Sequence, residues 1–128
     1  MDKGGSVAAY YEGELVVNLW GGWVDEEADQ RWRQDTMPCF HSATKSLSAL
    51  VIAHLVDRNL LKYTDKIATH WPEFAQHGKE DITLETFITN KAGLSGTREP
   101  VPVRLLLDDP KKLGDILAKQ KPLWEPGM

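Results

Sequence analysis

The chain has 128 residues, of which 41% are hydrophobic and 27% charged, and its formal net charge is −4. This composition is ordinary for one globular domain and excludes a disordered or fibrous chain, while the acidic balance argues against a nucleic-acid partner, which needs clustered lysine and arginine. The single cysteine, Cys39, excludes an internal disulfide, and the longest apolar run, 47–56, is too short to cross a bilayer.

The N-terminal segment predicts a β-hairpin. Ser6–Tyr10 and Glu14–Trp20 are rich in residues that favour strands, and they flank the turn pair Glu12-Gly13. Gly21-Gly22 is expected to end the second strand, and residues 25–35 are expected to form an irregular connection.

The main helix is predicted to begin at Ser42, after Pro38. Apolar positions recur at the helical spacing, which predicts one broad buried stripe. The stripe comprises Leu47, Leu50, Val51, His54 and Leu55. Asn59 is expected just beyond the helix end, because asparagine tolerates the left-handed backbone that terminates helices.

Three shorter helices are predicted from capping residues. Thr64-Asp65 is expected to cap a helix that stops at Pro72, and Thr83 another that runs to about Asn90. Asp109-Pro110 is a typical helix start, and it precedes an apolar face made of Leu113, Ile116 and Leu117. A hairpin followed by helices predicts an α+β fold, with hairpin and connection at 1–35 and helices at 36–128.

The stretch Ser42-Ala43-Thr44-Lys45 carries the clearest chemistry. Residues three apart on a helix lie on one face, so the hydroxyl of Ser42 and the amine of Lys45 are expected to touch. A lysine whose pKa is lowered can take the proton from a serine and make it a nucleophile. The backbone N–H of Ser42, in the first helical turn, could also help bind a developing oxyanion.

The motif sits within a longer pattern that resembles a known family, the serine β-lactamase-like hydrolases. That family includes class C β-lactamases, penicillin-binding peptidases and β-lactamase-fold esterases. The matching segments, in chain order, are 12–17, 19–22, 35–36, 40–46, 60–61, 65, 71–74, 82–83, 92–94 and 122–127. The resemblance implies the N-terminal part of the β-lactamase/transpeptidase-like fold, with Ser42 as nucleophile and Lys45 as general base.

The resemblance also implies features that this sequence does not contain. Such enzymes have a catalytic tyrosine shortly after the Trp124-Glu125-Pro126-Gly127 turn and later sheet strands, one of which supplies a second oxyanion donor. None of Tyr10, Tyr11 and Tyr63 matches that tyrosine. We therefore expect an N-terminal piece of a longer hydrolase that lacks the C-terminal sheet and is inactive alone.

Other candidate sites have simpler explanations. His41 is expected to fill space or line a pocket rather than pair with Ser42, and His54 to be a core or boundary residue. The 93–97 segment, Gly-Leu-Ser-Gly-Thr, lacks the last glycine, the strand and the helix of a nucleophile elbow and is expected to be a turn. His70, Glu73 and His77 match no known metal spacing, so no metal is expected. The tryptophans are expected to be packing anchors.

Two functional hypotheses follow. The first is a serine hydrolase that acts by acyl transfer on a small ester or amide, more esterase-like than penicillinase-like, without cofactor, metal, nucleic acid or membrane span. The second is a non-catalytic binding or assembly module of the same fold. No secretory signal is visible, so with Met1 as the true start we expect a cytoplasmic protein. The sequence leaves the oligomeric state open.

Overall fold

The computed structural model describes residues 3–128, which form a small antiparallel sheet followed by short helices. The strands are β1 (Gly4–Tyr11), β2 (Glu14–Asp25) and β3 (Gln30–Arg31), in the order β1-β2-β3. The helices are α1 (Thr44–Asp57), α2 (Ile67–His70), α3 (Leu84–Ile88), α4 (Leu105–Asp108) and α5 (Pro110–Ala118), with 3-10 turns at His41–Ala43 and Pro72–Phe74. The predicted α+β class is confirmed.

Contacts divide the chain into two compact units, Met1–Ser42 and Ala43–Met128. The first holds the sheet and the second holds all five helices found in the described residues. The boundary that the sequence predicted at residue 35 separates the hairpin and its connection from the helices, and it stays a prediction.

The hairpin forms where the sequence predicts it. Its turn residues Glu12 and Gly13 have φ of 48° and 85°, the left-handed pair that matches the natural twist of two antiparallel strands. The register then pairs Ser6 with Trp20 and Ala8 with Asn18, and one irregularity between Ala9 and Tyr10 shifts it.

The predicted end of the second strand at Gly21-Gly22 is wrong, because β2 continues to Asp25 and pairs with β3. Gly22 has φ of 83° and lies opposite Gly4. A side-chain carbon at Gly22 would overlap the carbonyl oxygen of Lys3, which accepts a hydrogen bond from the Trp23 N–H at 2.9 Å. The glycine therefore permits a close approach of two strands rather than ending one.

Helix α1 begins and ends close to the predicted positions. Thr44 is its first residue, and Asn59 beyond its end has φ of 58°. The N–H of Leu60 bonds to the carbonyl of Leu55, and the N–H of Asn59 to that of Val56, each at 2.9 Å. These two bonds are the Schellman arrangement that satisfies the last carbonyls of a helix.

The predicted buried stripe of α1 is wrong for this chain. Leu47, Leu50 and Val51 are 55%, 67% and 58% exposed, and His54 is exposed too. Of the predicted stripe, Leu55 is half-buried, and the half-buried face also includes Ile52, which packs against the core of the second unit. Periodicity located an apolar stripe correctly but could not say which positions the rest of this chain covers.

The second unit surrounds a small apolar core. Its buried members are Ile67, Phe74, Ile82, Leu84 and Ala92, flanked by the half-buried Ile52, Leu61, Trp71, Ile88 and Leu94. The Trp71 ring stacks on Phe74 with centroids 5.5 Å apart, and Phe87 meets the Phe74 ring edge-on at 5.7 Å. Phe74 thus occupies the centre of an aromatic cluster, an arrangement that adds to the free energy gained by area burial.

Two of the three predicted helix caps are confirmed. The Thr83 hydroxyl accepts a hydrogen bond from the Thr86 N–H at 3.2 Å, and an Asp109 carboxylate oxygen accepts one from the Lys112 N–H at 2.9 Å. Pro110 follows Asp109 at the first position of α5.

The third predicted cap is wrong. Asp65 accepts a bond from the Lys62 N–H at 2.8 Å and so closes a turn, while α2 starts only at Ile67. The delay arises because Lys66 is extended and forms a β-bridge with Thr83.

Candidate active site

Ser42 and Lys45 lie at the start of α1. Ser42 is the middle residue of the 3-10 turn His41–Ala43, and Lys45 is the second residue of the helix. The sequence placed the helix start at Ser42, whereas α-helical geometry begins two residues later. Lys45 follows Ser42 by three positions, with Ser42 in the 3-10 turn and Lys45 in the first turn of α1.

Two backbone features describe the start of α1. Ala43, the N-cap residue, has helical angles of φ −63° and ψ −19° and supplies no capping side chain. His41 has φ of 46°, in the left-handed region.

One histidine of the second unit lies beside an acidic side chain. His70 Nε2 lies 3.4 Å from a carboxylate oxygen of Asp65 at the surface. The pKa of Asp65 is lowered, chiefly by the bond from the Lys62 N–H and secondarily by His70. Within residues 3–128, no group of three or more histidine, cysteine or acidic side chains is arranged to hold a metal ion.

The 93–97 segment is a loop, as predicted. Gly93 has φ of 74°, and a side-chain carbon there would lie 2.6 Å from the carbonyl oxygen of Trp124. The Gly93 carbonyl accepts a bond from the Leu123 N–H, and the Lys91 carbonyl accepts one from the Gly127 N–H, both at 2.8 Å. The glycine therefore lets this loop lie directly against the segment 123–127.

Sequence reasoning missed a cavity of about 420 Å3 in the second unit. Its walls include Trp71, Phe74, Phe87, Leu117 and Trp124, and its polar rim includes Ser95 and Gln120. These residues come from segments far apart in the chain, so no local pattern could have indicated the cavity.

Sequence reasoning also missed a buried lysine in the second unit. Lys79 is fully buried, and its Nζ donates hydrogen bonds to the carbonyl oxygens of Ala118 at 2.8 Å and Gln120 at 2.6 Å. Its Nζ also lies 5.1 Å from the centre of the Phe74 ring. Burial lowers the pKa of Lys79, and the neighbouring Glu80 carboxylate opposes that shift. Lys79 therefore holds the end of α5 against the core.

The tryptophans differ in their surroundings. Trp71 packs on Phe74, and the Arg31 guanidinium lies 3.3 Å above the Trp23 ring. Trp20 and Trp124 remain 44% and 41% exposed. The predicted role as packing anchors therefore describes Trp71 best.

Similarity to known proteins identifies the family of this chain. The sequence model of the beta-lactamase family matches residues 1–128. The chain belongs to the beta-lactamase family. The resemblance identified from the sequence is thus confirmed, and so is the expectation that the chain matches the N-terminal part of that fold.

Relatives of this beta-lactamase-family chain carry both esterase and β-lactamase names. This chain is 41% identical over 95 residues to "Esterase/beta-lactamase LipL" of Mycobacterium tuberculosis (strain ATCC 25618 / H37Rv). The match covers 74% of this chain and 22% of that protein. A family VIII carboxylesterase structure matches with 42% identity and a TM-score of 0.86, over 98% of this chain and 34% of the other.

Two further solved structures extend the comparison. A penicillin-binding protein homolog from Caulobacter crescentus shares 38% identity at a TM-score of 0.86, over 98% of this chain and 33% of its own. EstA from Arthrobacter nitroguajacolicus Rue61a shares 31% identity at a TM-score of 0.78, and the match covers 97% of this chain and 31% of EstA. The chain therefore spans 22–34% of the length of these relatives.

Proposed function

We propose that this chain is the nucleophile-bearing part of a serine hydrolase that acts by acyl transfer. The observation that carries the proposal is the Ser42-x-x-Lys45 motif at the start of α1, within a family match that covers residues 1–128. A serine in a helical turn with a lysine three positions later pairs a weak nucleophile with the base that it needs.

The proposed reaction has two halves. Ser42 Oγ attacks the carbonyl carbon of the substrate while its proton passes to Lys45 Nζ, and the leaving alcohol or amine departs with a proton. Water then attacks the acyl-enzyme, so that the acid is released and the serine hydroxyl is restored. No metal or organic cofactor takes part in these steps.

An ester is the substrate class that we favour, with weak or no turnover of β-lactams. The names of the relatives support this choice, because they include a carboxylesterase and an esterase/beta-lactamase.

The decisive variants can be made in the full-length protein. Ser42→Ala should lower kcat on a chromogenic ester by about a thousandfold or more, since loss of a nucleophile removes the covalent route. Lys45→Met should give a comparable loss without changing the fold.

The matched control is Ser48→Ala, on the same helix. The Ser48 hydroxyl lies 3.3 Å from the Thr44 carbonyl, a bond within the helix, so its loss should leave turnover within about twofold. Turnover that survives in Ser42→Ala would refute the proposal and favour a non-catalytic binding or assembly module.

None of the helices within residues 3–128 has the length and apolar character needed to cross a membrane. The proposed substrate is a small-molecule ester or amide, and no nucleic acid is part of the proposal.

A further inference from the structure

The cavity of the second unit is the feature that the proposed function leaves unused. Its volume of about 420 Å3 lies within the range of small-molecule sites in proteins, which is roughly 300–1,000 Å3. All twelve lining residues belong to the second unit, so the cavity is complete within one compact part of the chain. Its size therefore suits a small molecule.

The walls of the cavity are aromatic and uncharged. Trp71, Phe74, Phe87 and Trp124 contribute rings, and none of the twelve lining residues carries a charge. Phe87 and Trp124 remain 39% and 41% exposed, so an apolar ligand in the cavity would remove ring surface from water. A charged ligand would lose its hydration without gaining an ion pair. The walls therefore favour a neutral aromatic molecule.

Polar side chains lie at the rim of the same cavity. Ser95, Thr97 and Asn90 are lining residues, and within residues 3–128 their side chains make no hydrogen bond. A few polar groups in an apolar wall are the arrangement that orients a bound small molecule. A hydroxyl or carbonyl group on a ligand can therefore exchange hydrogen bonds with this rim.

Hydrogen bonds outside the cavity hold its walls in place. Lys79 Nζ donates to the Gln120 carbonyl at 2.6 Å, and Gln120 Oε1 accepts a bond from the Arg98 N–H at 3.1 Å. The Gly93 carbonyl accepts a bond from the Leu123 N–H at 2.8 Å. The loop between Gly93 and Arg98, which supplies four lining residues, is thus tied at both ends. A preformed site of this kind loses less free energy on binding, because fewer groups become ordered.

We propose that this cavity is a binding site for a neutral aromatic molecule that carries one hydroxyl or carbonyl group. The rings of the walls contact the ring system of the ligand, and Ser95, Thr97 and Asn90 bind its polar group. The proposal does not depend on the role of Ser42 as nucleophile, so either can fail without the other.

Equilibrium dialysis of the full-length protein against β-naphthol tests the proposal, with the anion β-naphthoate as the matched charged probe. β-Naphthol should bind with a dissociation constant below about 1 mM. β-Naphthoate should bind at least about tenfold more weakly, because its carboxylate would be desolvated without a partner. The double variant Ser95→Ala, Thr97→Val should weaken the binding of β-naphthol about 3- to 10-fold through lost hydrogen bonds.

The variant Leu117→Trp locates the site. Leu117 lines the cavity and is 41% exposed, so a larger side chain there takes up cavity space. This variant should bind β-naphthol at least about tenfold more weakly than the native protein. The matched control is Lys112→Trp, which adds the same side chain at an exposed position of α5 outside the cavity and should change the affinity less than about twofold. Thermal midpoints establish that both variants are folded.

Three results would overturn the proposal. The first is equal binding of β-naphthol and β-naphthoate, and the second is equal affinity of Leu117→Trp and Lys112→Trp for β-naphthol. The third is no binding of β-naphthol by the native protein, as expected if another part of the full-length chain fills the cavity. If Leu117→Trp does not fold, the double variant decides, because an unchanged affinity there would also overturn the proposal.

Discussion

The buried ammonium of Lys79 gives the clearest stability prediction. Lys79→Met preserves the length and most of the volume of the side chain but removes two donors, those to Ala118 at 2.8 Å and Gln120 at 2.6 Å. Hydrogen bonds from a charged group contribute about 1.5–3 kcal/mol each, and relief of the buried charge offsets part of that sum. We expect a net loss of about 2–4 kcal/mol in the free energy of unfolding.

Urea unfolding of the full-length protein, followed by fluorescence, measures this loss directly. Lys112→Met is the matched control, because Lys112 is an exposed lysine on α5 and its substitution should change stability by less than about 0.5 kcal/mol. If Lys79→Met were as stable as that control, the two hydrogen bonds would not hold α5 as we argue.

The pH dependence of the free energy of unfolding, compared between the native protein and Lys79→Met, provides a second check. Burial lowers the pKa of Lys79 below its ordinary 10.5, so between the two values the unfolded chain binds more protons than the folded one. The stability of the native protein should therefore rise with pH across that window. Lys79→Met should lack this rise, so the difference between the two proteins should widen towards pH 10.5. A difference that narrows would contradict the lowered pKa.

Three more predictions concern Asp65, Gly22 and the isolated chain. Asp65→Asn should destabilise the protein at neutral pH, because the pKa of Asp65 in the folded protein lies below 3.8. The difference in stability from the native protein should shrink as pH falls through that pKa. A difference that stays constant in acid unfolding curves would contradict the lowered pKa. Gly22→Ala should lower the free energy of unfolding by about 1–3 kcal/mol. Gly5→Ala should lower it much less, because a side-chain carbon at Gly5 meets no atom within 4 Å. Equal thermal midpoints for the two variants would contradict the close approach at Gly22. The isolated 128-residue chain should hydrolyse no ester and be marginally stable, because Leu47 and Leu50 remain exposed on α1; a cooperative thermal transition in a monomeric sample would contradict this.

Local chemistry explains which elements could be predicted from the sequence. The caps at Thr83 and Asp109 and the left-handed Asn59 depend on neighbours within a few residues, and the structure confirms all three. The Ser42-x-x-Lys45 spacing is equally local and is therefore visible in the sequence alone. Its catalytic role stays a prediction.

Long-range contacts explain what the sequence could not show. Gly22 lies inside β2 because that strand continues to pair with β3, and the carbonyl of Lys3, directly before β1, leaves no room for a side-chain carbon there. Asp65 closes a turn because Lys66 next to it is held extended in a bridge with Thr83. Lys79 can be buried because two carbonyl oxygens, 39 and 41 residues later in the chain, accept hydrogen bonds from its ammonium group. None of these partners is visible in the sequence around the residue.

The most direct test of the central claim is to locate the covalent adduct. The full-length protein is treated with a fluorophosphonate probe, digested and analysed by mass spectrometry, alongside Ser42→Ala and Ser48→Ala. We expect one adduct, on Ser42, in the native protein and in Ser48→Ala, and none in Ser42→Ala. An adduct on another residue, or one that persists in Ser42→Ala, would contradict the assignment of Ser42 as the nucleophile.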